Sequence, residues 1–249
     1  AGLRMLQEEA LEAQGHVVTS QVEHQTDLGN ARRLVAENGV DLRYCIPQRF
    51  WFVWGGRHWV RDQTAEVTRR AKQTVVGIYA AAAAATDSDV RKNLGKHATR
   101  SESESKLRAM VELAKSEPGI PILPDAMESH PMLLNVANGT LDLASGTLRR
   151  HRRSDLLTRL IEVQYHPDAT CPIWESFLGQ IFSYNEDMVA FMRRAVGYSL
   201  TGDTSEQVLF FLYGTGANGK STFLNLILRL LGRYGRQIEP DLLLSRRGE

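Results

Sequence analysis

Along the chain the spacing of apolar positions changes period several times, and each change predicts an element. Residues 1 to about 38 are mostly polar, with helical patches at Leu3, Leu6 and Leu11 and again at Ala31, Leu34 and Val35. They read as a linker followed by a short helix. The stretches DLRYCIP and FWFVWGGRHWVRD then take on strand composition, and Gly55-Gly56 predicts a hairpin, because both positions of a tight primed turn need positive φ. This ribbon carries Trp51, Trp54 and Trp59, three of the four tryptophans. From Thr64 the period returns to 3.6, with Val67, Ala71, Val75, Ile78 and Tyr79 on one face, and runs into six consecutive alanines, the best helix formers.

Further helices are expected from Asp89 to Ala98 and from Glu104 to Ala114. In the second of these, Leu107, Met110, Val111 and Ala114 form the stripe and Glu104 with Arg108 an i,i+4 pair. Pro118, Gly119 and Pro121 end the helical run. LLNVANGTLDLASGTLRRH predicts a β-meander with a turn at Asn138-Gly139, again needing positive φ, and another at Ser145-Gly146. After Pro167, Ile173, Trp174, Phe177, Leu178, Ile181 and Phe182 mark an amphipathic helix. Asn185 caps the next, with Glu186 and Asp187 in its first turn, and this helix closes near Gly202. Residues 208–213 are uniformly apolar, as expected of a parallel strand covered on both faces, and the helix that follows runs to Leu231 with Gly232 as its stop. That helix is apolar on nearly every side except Asn225 and Arg229, which predicts that it is packed within its domain.

Composition changes this picture little. The 249 residues are 43% hydrophobic and 24% charged, and 30 basic against 29 acidic side chains leave a net charge of +1, so a nucleic-acid partner must be met by a local patch. Cys45 and Cys171 are too few for a disulfide framework and are expected to be buried thiols in a reducing compartment. No run approaches the roughly 20 apolar residues that span a bilayer. The ends, Ala1 and the group Arg246, Arg247, Gly248 and Glu249, read as those of a piece of a longer protein.

The candidate chemistry lies between the apolar strand and the apolar helix. Gly214, Gly219, Lys220 and Ser221 fit G-x-x-x-x-G-K-[ST] in the strand-to-helix context that a phosphate-binding loop requires. Glycines let successive N–H groups turn inward, the helix N-terminus adds partial positive charge, and the Lys220 ammonium completes an anion cradle. Residues Gly214, Thr215, Gly216, Ala217, Asn218, Gly219, Lys220, Ser221 and Thr222 are therefore expected to bind ATP, with Lys220 the catalytic cation and Ser221 the Mg²⁺ ligand. The same letters match a dinucleotide fingerprint, G-x-G-x-x-G. That reading needs Glu239 at the end of a second hydrophobic strand, and Glu239 follows only Arg236, Gln237 and Ile238 and precedes Pro240.

TDLGNARRLVAENGVDLRYC, the ribbon residues Trp54, Gly55, Gly56, Trp59 and Asp62, the meander and AVGYSLTGDTSEQVLFFLYGTGANGKSTF together resemble the phage and plasmid primase family, whose C-terminal motor is a superfamily 3 helicase. The resemblance spans about residues 26 to 245. It implies an α+β N-terminal module followed by the start of an α/β P-loop NTPase domain of AAA+-like, superfamily 3 type, truncated. Residues 1–25 are then a linker or the end of an upstream domain, 26–200 the pre-motor module and 201–249 the N-terminal part of the motor. Implied with it are ATP and Mg²⁺ as cofactors, single-stranded or forked DNA as partner and a homo-hexameric ring. No membrane association follows, and the setting is the cytoplasm of a bacterial host. The acidic strand end, polar sensor and arginine finger that phosphoryl transfer needs are not visible up to Glu249, so nucleotide binding without efficient hydrolysis is expected of this chain. A nucleotide-independent DNA-binding and oligomerisation collar is the alternative, with a P-loop phosphotransferase behind it.

Arg149, Arg150, Arg152 and Arg153, with His151 between them, form the densest basic cluster and the candidate nucleic-acid contact; Arg193 with Arg194 and Arg246 with Arg247 are lesser ones. Phe50, Trp51, Phe52, Trp54 and Trp59 offer either stacking faces for bases or a packed aromatic hairpin.

Overall fold

A computed structural model describes residues 24–239. The expected helical patch at Leu3, Leu6 and Leu11 and the Arg246-Arg247 pair lie outside the described residues, while the patch at Ala31, Leu34 and Val35 forms a helix as expected. The chain divides into two compact units, one formed by Ala1–Val53 with Arg61–Leu123, the other by Trp54–Val60 with Pro124–Glu249.

Among the described residues the first unit combines four helices, α1 (Asp27–Asn38), α2 (Glu66–Ala84), α3 (Ser88–Ser101) and α4 (Glu104–Ala114), with strands β1 (Leu42–Cys45), β2 (Phe50–Trp54), β3 (Trp59–Arg61) and β4 (Pro121–Ile122), of which Trp54, Trp59 and Val60 count with the second unit. The sheet order is β3-β2-β1-β4, with β1 antiparallel to β2 and parallel to β4. Leu34, Leu42, Met110 and Ile120 are fully buried in one cluster with Tyr44, Trp51 and Val75, and each such side chain contributes about 1.5–3 kcal/mol. Helix starts follow local capping chemistry. Thr26 Oγ1 accepts from Gly29 N at 3.1 Å at the head of α1, and the Asp87 carboxylate accepts from Asp89 N and Val90 N, both at 2.8 Å, so α3 begins at Ser88.

Helix α2 begins at Glu66, later than the periodicity predicts, because Asp62 reaches past Ala65. Its carboxylate accepts from Thr64 N, Glu66 N and Val67 N at 2.9–3.1 Å, while Ala65 takes φ 58° to make the bend. At the other end of the unit, Asn30, His97 and Ser101 form a buried polar trio. Asn30 Oδ1 meets His97 Nε2 at 2.8 Å and Asn30 Nδ2 donates to Ser101 Oγ at 2.9 Å.

Strands β5 (Leu133–Val136), β6 (Gly139–Asp142) and β7 (Thr147–Arg149) make the meander of the second unit, and helices α5 (Pro172–Ile181), α6 (Glu186–Leu200) and α7 (Lys220–Leu231) follow. Two turns differ from expectation. The Asn138-Gly139 turn does not form: Val136 pairs with Gly139, so Ala137 and Asn138 make the turn, and none of these residues has positive φ. Gly139 is required instead by close packing, since a Cβ there would lie 2.4 Å from the Arg149 carbonyl oxygen. In the ribbon only Gly56, at φ 85°, is left-handed, and the loop closes with Gly55 N donating to His58 O. The Ser145-Gly146 turn forms as expected, with Gly146 at φ 69° and Asp142 Oδ1 accepting from Ala144 N and Ser145 N.

Asn135 is the hub of this unit. Fully buried, its Nδ2 donates to the carbonyls of Arg57 at 2.9 Å and Arg159 at 3.1 Å. Its Oδ1 takes Thr140 Oγ1 at 3.1 Å and His151 Nδ1 at 2.7 Å. Tyr234 Oη sits 3.4 Å from both Asn135 N and the Arg159 carbonyl, and burial pushes its phenol up to about 12.

His58, His97 and His151 all titrate below the ordinary imidazole value of 6.5, chiefly because burial disfavours the cation, with Arg57 adding repulsion at His58 and His151 and Arg33 at His97. A folded pKa below the unfolded one means that the unfolded chain takes up protons first. Stability is therefore full above about pH 6.5 and falls as the pH drops below it. Urea unfolding at pH 7.5 and at pH 5.5, above the carboxylate range, is expected to show a lower midpoint at the acid pH; equal midpoints would contradict the three depressed values.

Candidate functional site

Residues 214–219 form an irregular loop at the head of α7. Gly214, Ala217 and Gly219 take φ values of 149°, 59° and 80°, which turn the backbone around the lysine that follows. Lys220 Nζ lies inside the curl, donating to Gly214 O at 3.1 Å, Thr215 O at 3.4 Å and Asn218 Oδ1 at 2.7 Å. A Cβ on Gly214 would fall 2.3 Å from Asn218 Nδ2, and one on Gly219 would fall 2.6 Å from Ile181 Cγ2 and 3.2 Å from the Phe177 ring. Gly216 borders open space. Ser221 and Thr222 are exposed in the first turn of α7.

The loop is anchored by its helix. Phe223 is buried with Leu178 and Met192, and Trp174 stacks between Phe177 and Phe223 with both ring centroids 5.4 Å away. The rest of α7 is covered only in part: Leu231 packs against the meander cluster, whereas Leu224, Leu226 and Leu230 are exposed, contrary to the expectation of an all-round packed helix. The expected strand at 208–213 is not formed either: the segment has no hydrogen-bonded partner strand among the described residues, and Leu209, Phe211 and Tyr213 are exposed. A strand, unlike a helix, cannot satisfy its backbone within its own sequence. This segment and α6 border an apolar cavity of about 580 Å³ that reaches Asn218 and Lys220. Residues 235–239, where a dinucleotide site would need a second strand, are irregular.

The basic cluster is divided by the fold. Arg149 is bound bidentately to the buried Asp155, Nη1 to Oδ2 at 2.8 Å and Nη2 to Oδ1 at 2.7 Å, and so serves the interior of the unit. Arg150 is exposed, and the Arg153 guanidinium lies 5.7 Å from the Trp54 ring centroid. Of the aromatic set, Trp51, Phe52 and Trp59 are buried and hold the ribbon together, while Phe50 and Trp54 are half-buried. Asn135 and Asp155, which organise this region, are signalled in the sequence only as polar residues, one within the meander and one shortly after it. Cys45 is buried but Cys171 is exposed, against the expectation of two buried thiols, because it precedes α5 rather than lying on its apolar face.

An α+β module of this kind, followed by a glycine-rich loop at a helix head, defines the class. Residues 31–183, more than half of the chain, match the family described as D5 N terminal like, and the chain belongs to that family. It is 26% identical over 114 residues to "Putative helicase 121R" of Invertebrate iridescent virus 3, covering 44% of this chain and 12% of that protein. It is likewise 26% identical over 125 residues to "Putative helicase L207/L206" of Acanthamoeba polyphaga mimivirus, covering 49% of this chain and 13% of that protein. The matched stretches are thus a small part of both relatives. Among the described residues no helix is long and apolar enough to cross a membrane.

Proposed function

We propose that this chain is the pre-motor module and the first phosphate-binding segment of an ATP-dependent replicative DNA helicase, one that works as a ring of identical subunits. The observation that carries the reading is the position of Lys220 Nζ, held by three oxygen acceptors inside a loop whose glycines admit the curl. An ammonium collected by weak neutral acceptors is available to phosphate oxygens, which bind it more strongly as charge-assisted partners. The N-terminus of the twelve-residue helix α7 directs its partial positive charge at the same place. Lys220 and the backbone amides of 214–219 would hold the phosphates of ATP, and the exposed hydroxyl of Ser221 would hold Mg²⁺. Bound nucleotide supplies phosphoryl transfer to water; what this chain contributes is binding and orientation. The helicase names of both viral relatives support DNA as the macromolecule acted upon.

The test is calorimetry of ATP with Mg²⁺ on the wild type and on Lys220→Ala. Removing a charge-assisted hydrogen bond of about 1.5–3 kcal/mol should weaken binding by roughly 10-fold to 150-fold. No heat with the folded wild type, or equal affinity in the variant, would overturn the reading. A second reading, a DNA-binding and oligomerisation collar indifferent to nucleotide, is favoured by one observation: the family match ends at residue 183, before Gly214. DNA affinity and oligomer size unchanged by ATP and by Lys220→Ala would select it.

A further inference from the structure

The fold brings the tip of the β2–β3 hairpin onto the basic run, two regions far apart in sequence. Trp59 Nε1 donates to the Arg153 carbonyl at 2.9 Å across a separation of 94 residues. Asn135 holds the Arg57 carbonyl with its Nδ2 and His151 Nδ1 with its Oδ1, at 2.9 Å and 2.7 Å. Trp54 lies under the Arg153 guanidinium, 5.7 Å from its ring centroid, and its other ring neighbour, Trp59, meets it edge-on at 5.7 Å.

The charge of this surface is one-sided. Arg57 has a side chain 46% exposed, and its carboxylate partner, Glu162, stands 3.8 Å away with 78% exposure, a pair that solvent screens almost entirely. Arg150, next in sequence to the Asn135-bonded His151, is exposed. Asp155, a buried acid, is engaged by Arg149. In a chain whose net charge is only +1, cations gathered at one place from two distant segments are a local field of the kind a polyanion follows.

We propose that the hairpin tip and the basic run together form a binding surface for a single-stranded polynucleotide. Arg57 and Arg150 contact phosphates, and the Trp54–Arg153 pair presents a flat cation–π surface to a base. Only an unpaired base can use such a surface, which is why the single strand is favoured over the duplex. Arg149, although the first arginine of the run, takes no part. This goes beyond the nucleotide reading and needs no ATP.

The experiment is a fluorescence-anisotropy titration of a labelled oligothymidylate with the whole chain in the absence of nucleotide, repeated over a series of salt concentrations. Arg57→Glu with Arg150→Glu, both at exposed positions, should weaken binding by at least about tenfold. The slope of log affinity against log salt should also flatten by about 0.7 for every phosphate that is no longer neutralised. Lys92→Glu, also exposed but on α3 of the other unit, makes a charge change of the same sign and should shift affinity less than about twofold. Unaltered binding by the double variant, an equal weakening with Lys92→Glu, preference for the duplex or no binding by the wild type would each overturn the proposal. Because nucleotide is absent throughout, these results are independent of whether Lys220 grips a triphosphate.

Discussion

Replacing Asn135 by Ala should destabilise the second unit by about 3–5 kcal/mol, a large share of the 5–15 kcal/mol that holds a typical domain folded. The side chain is fully buried and makes four hydrogen bonds, to Arg57, Arg159, Thr140 and His151. Truncation does not simply delete them. It takes a partner from two carbonyls, a hydroxyl and an imidazole, of which the Arg159 carbonyl keeps the Tyr234 hydroxyl, and each buried group left orphaned costs about 1–3 kcal/mol. Thr140→Val removes one of the four and should cost about 1 kcal/mol. Asn135→Asp would be no rescue, because it replaces two donors with acceptors facing carbonyl oxygens. Since Asn135 and His151 share a bond, the double variant Asn135→Ala with His151→Ala should lose less than the two singles together. Thermal unfolding of these variants is the measurement; a destabilisation under about 1 kcal/mol for Asn135→Ala would show that the hub does not hold the unit.

Gly219→Ala is expected to cost about 2–4 kcal/mol and to abolish nucleotide binding, whereas Gly216→Ala should alter stability by less than about 0.5 kcal/mol. The reasons differ residue by residue. Gly219 has φ 80°, where a Cβ is strained, and its added methyl would also overlap Ile181 at 2.6 Å and press on Phe177. Relief requires either α5 to move, disturbing the Trp174 stack on Phe177 and Phe223, or the loop to open and release Lys220. Gly216 has neither constraint. Tryptophan fluorescence reports the first route and calorimetry with ATP and Mg²⁺ the second. Equal behaviour of the two variants would sink the idea that Gly219 sets the loop.

The helices were readable because their hydrogen bonds and stripes are local. Val67, Ala71, Val75 and Ile78 predict the buried face of α2, and Asn185 caps α6 through Met188 N at 3.0 Å as its residue type implies. Where a distant group intervenes, the reading fails. Asn138 does sit in the turn, but with Ala137 rather than Gly139 beside it, and its side chain bonds the backbone of the distant Tyr165, Nδ2 to O and Oδ1 from N, both at 2.9 Å. Residues 208–213 have strand composition but no strand beside them among the described residues, and composition alone makes no ladder. In the candidate site the glycine-lysine spacing was legible in full, while the tight seating of Gly219 on Ile181 was not.

From its sequence alone this chain determined the placement of its periodic helices, the left-handed turn at Gly146 and a loop able to curl about Lys220, since each depends on residues within a few positions of one another. The tertiary structure alone decided that Asn135 is a hub, that Arg149 belongs to Asp155 and that Arg57 joins the basic run. A buried polar group takes its role from whichever partners the fold delivers, and those lie 5 to 94 residues away.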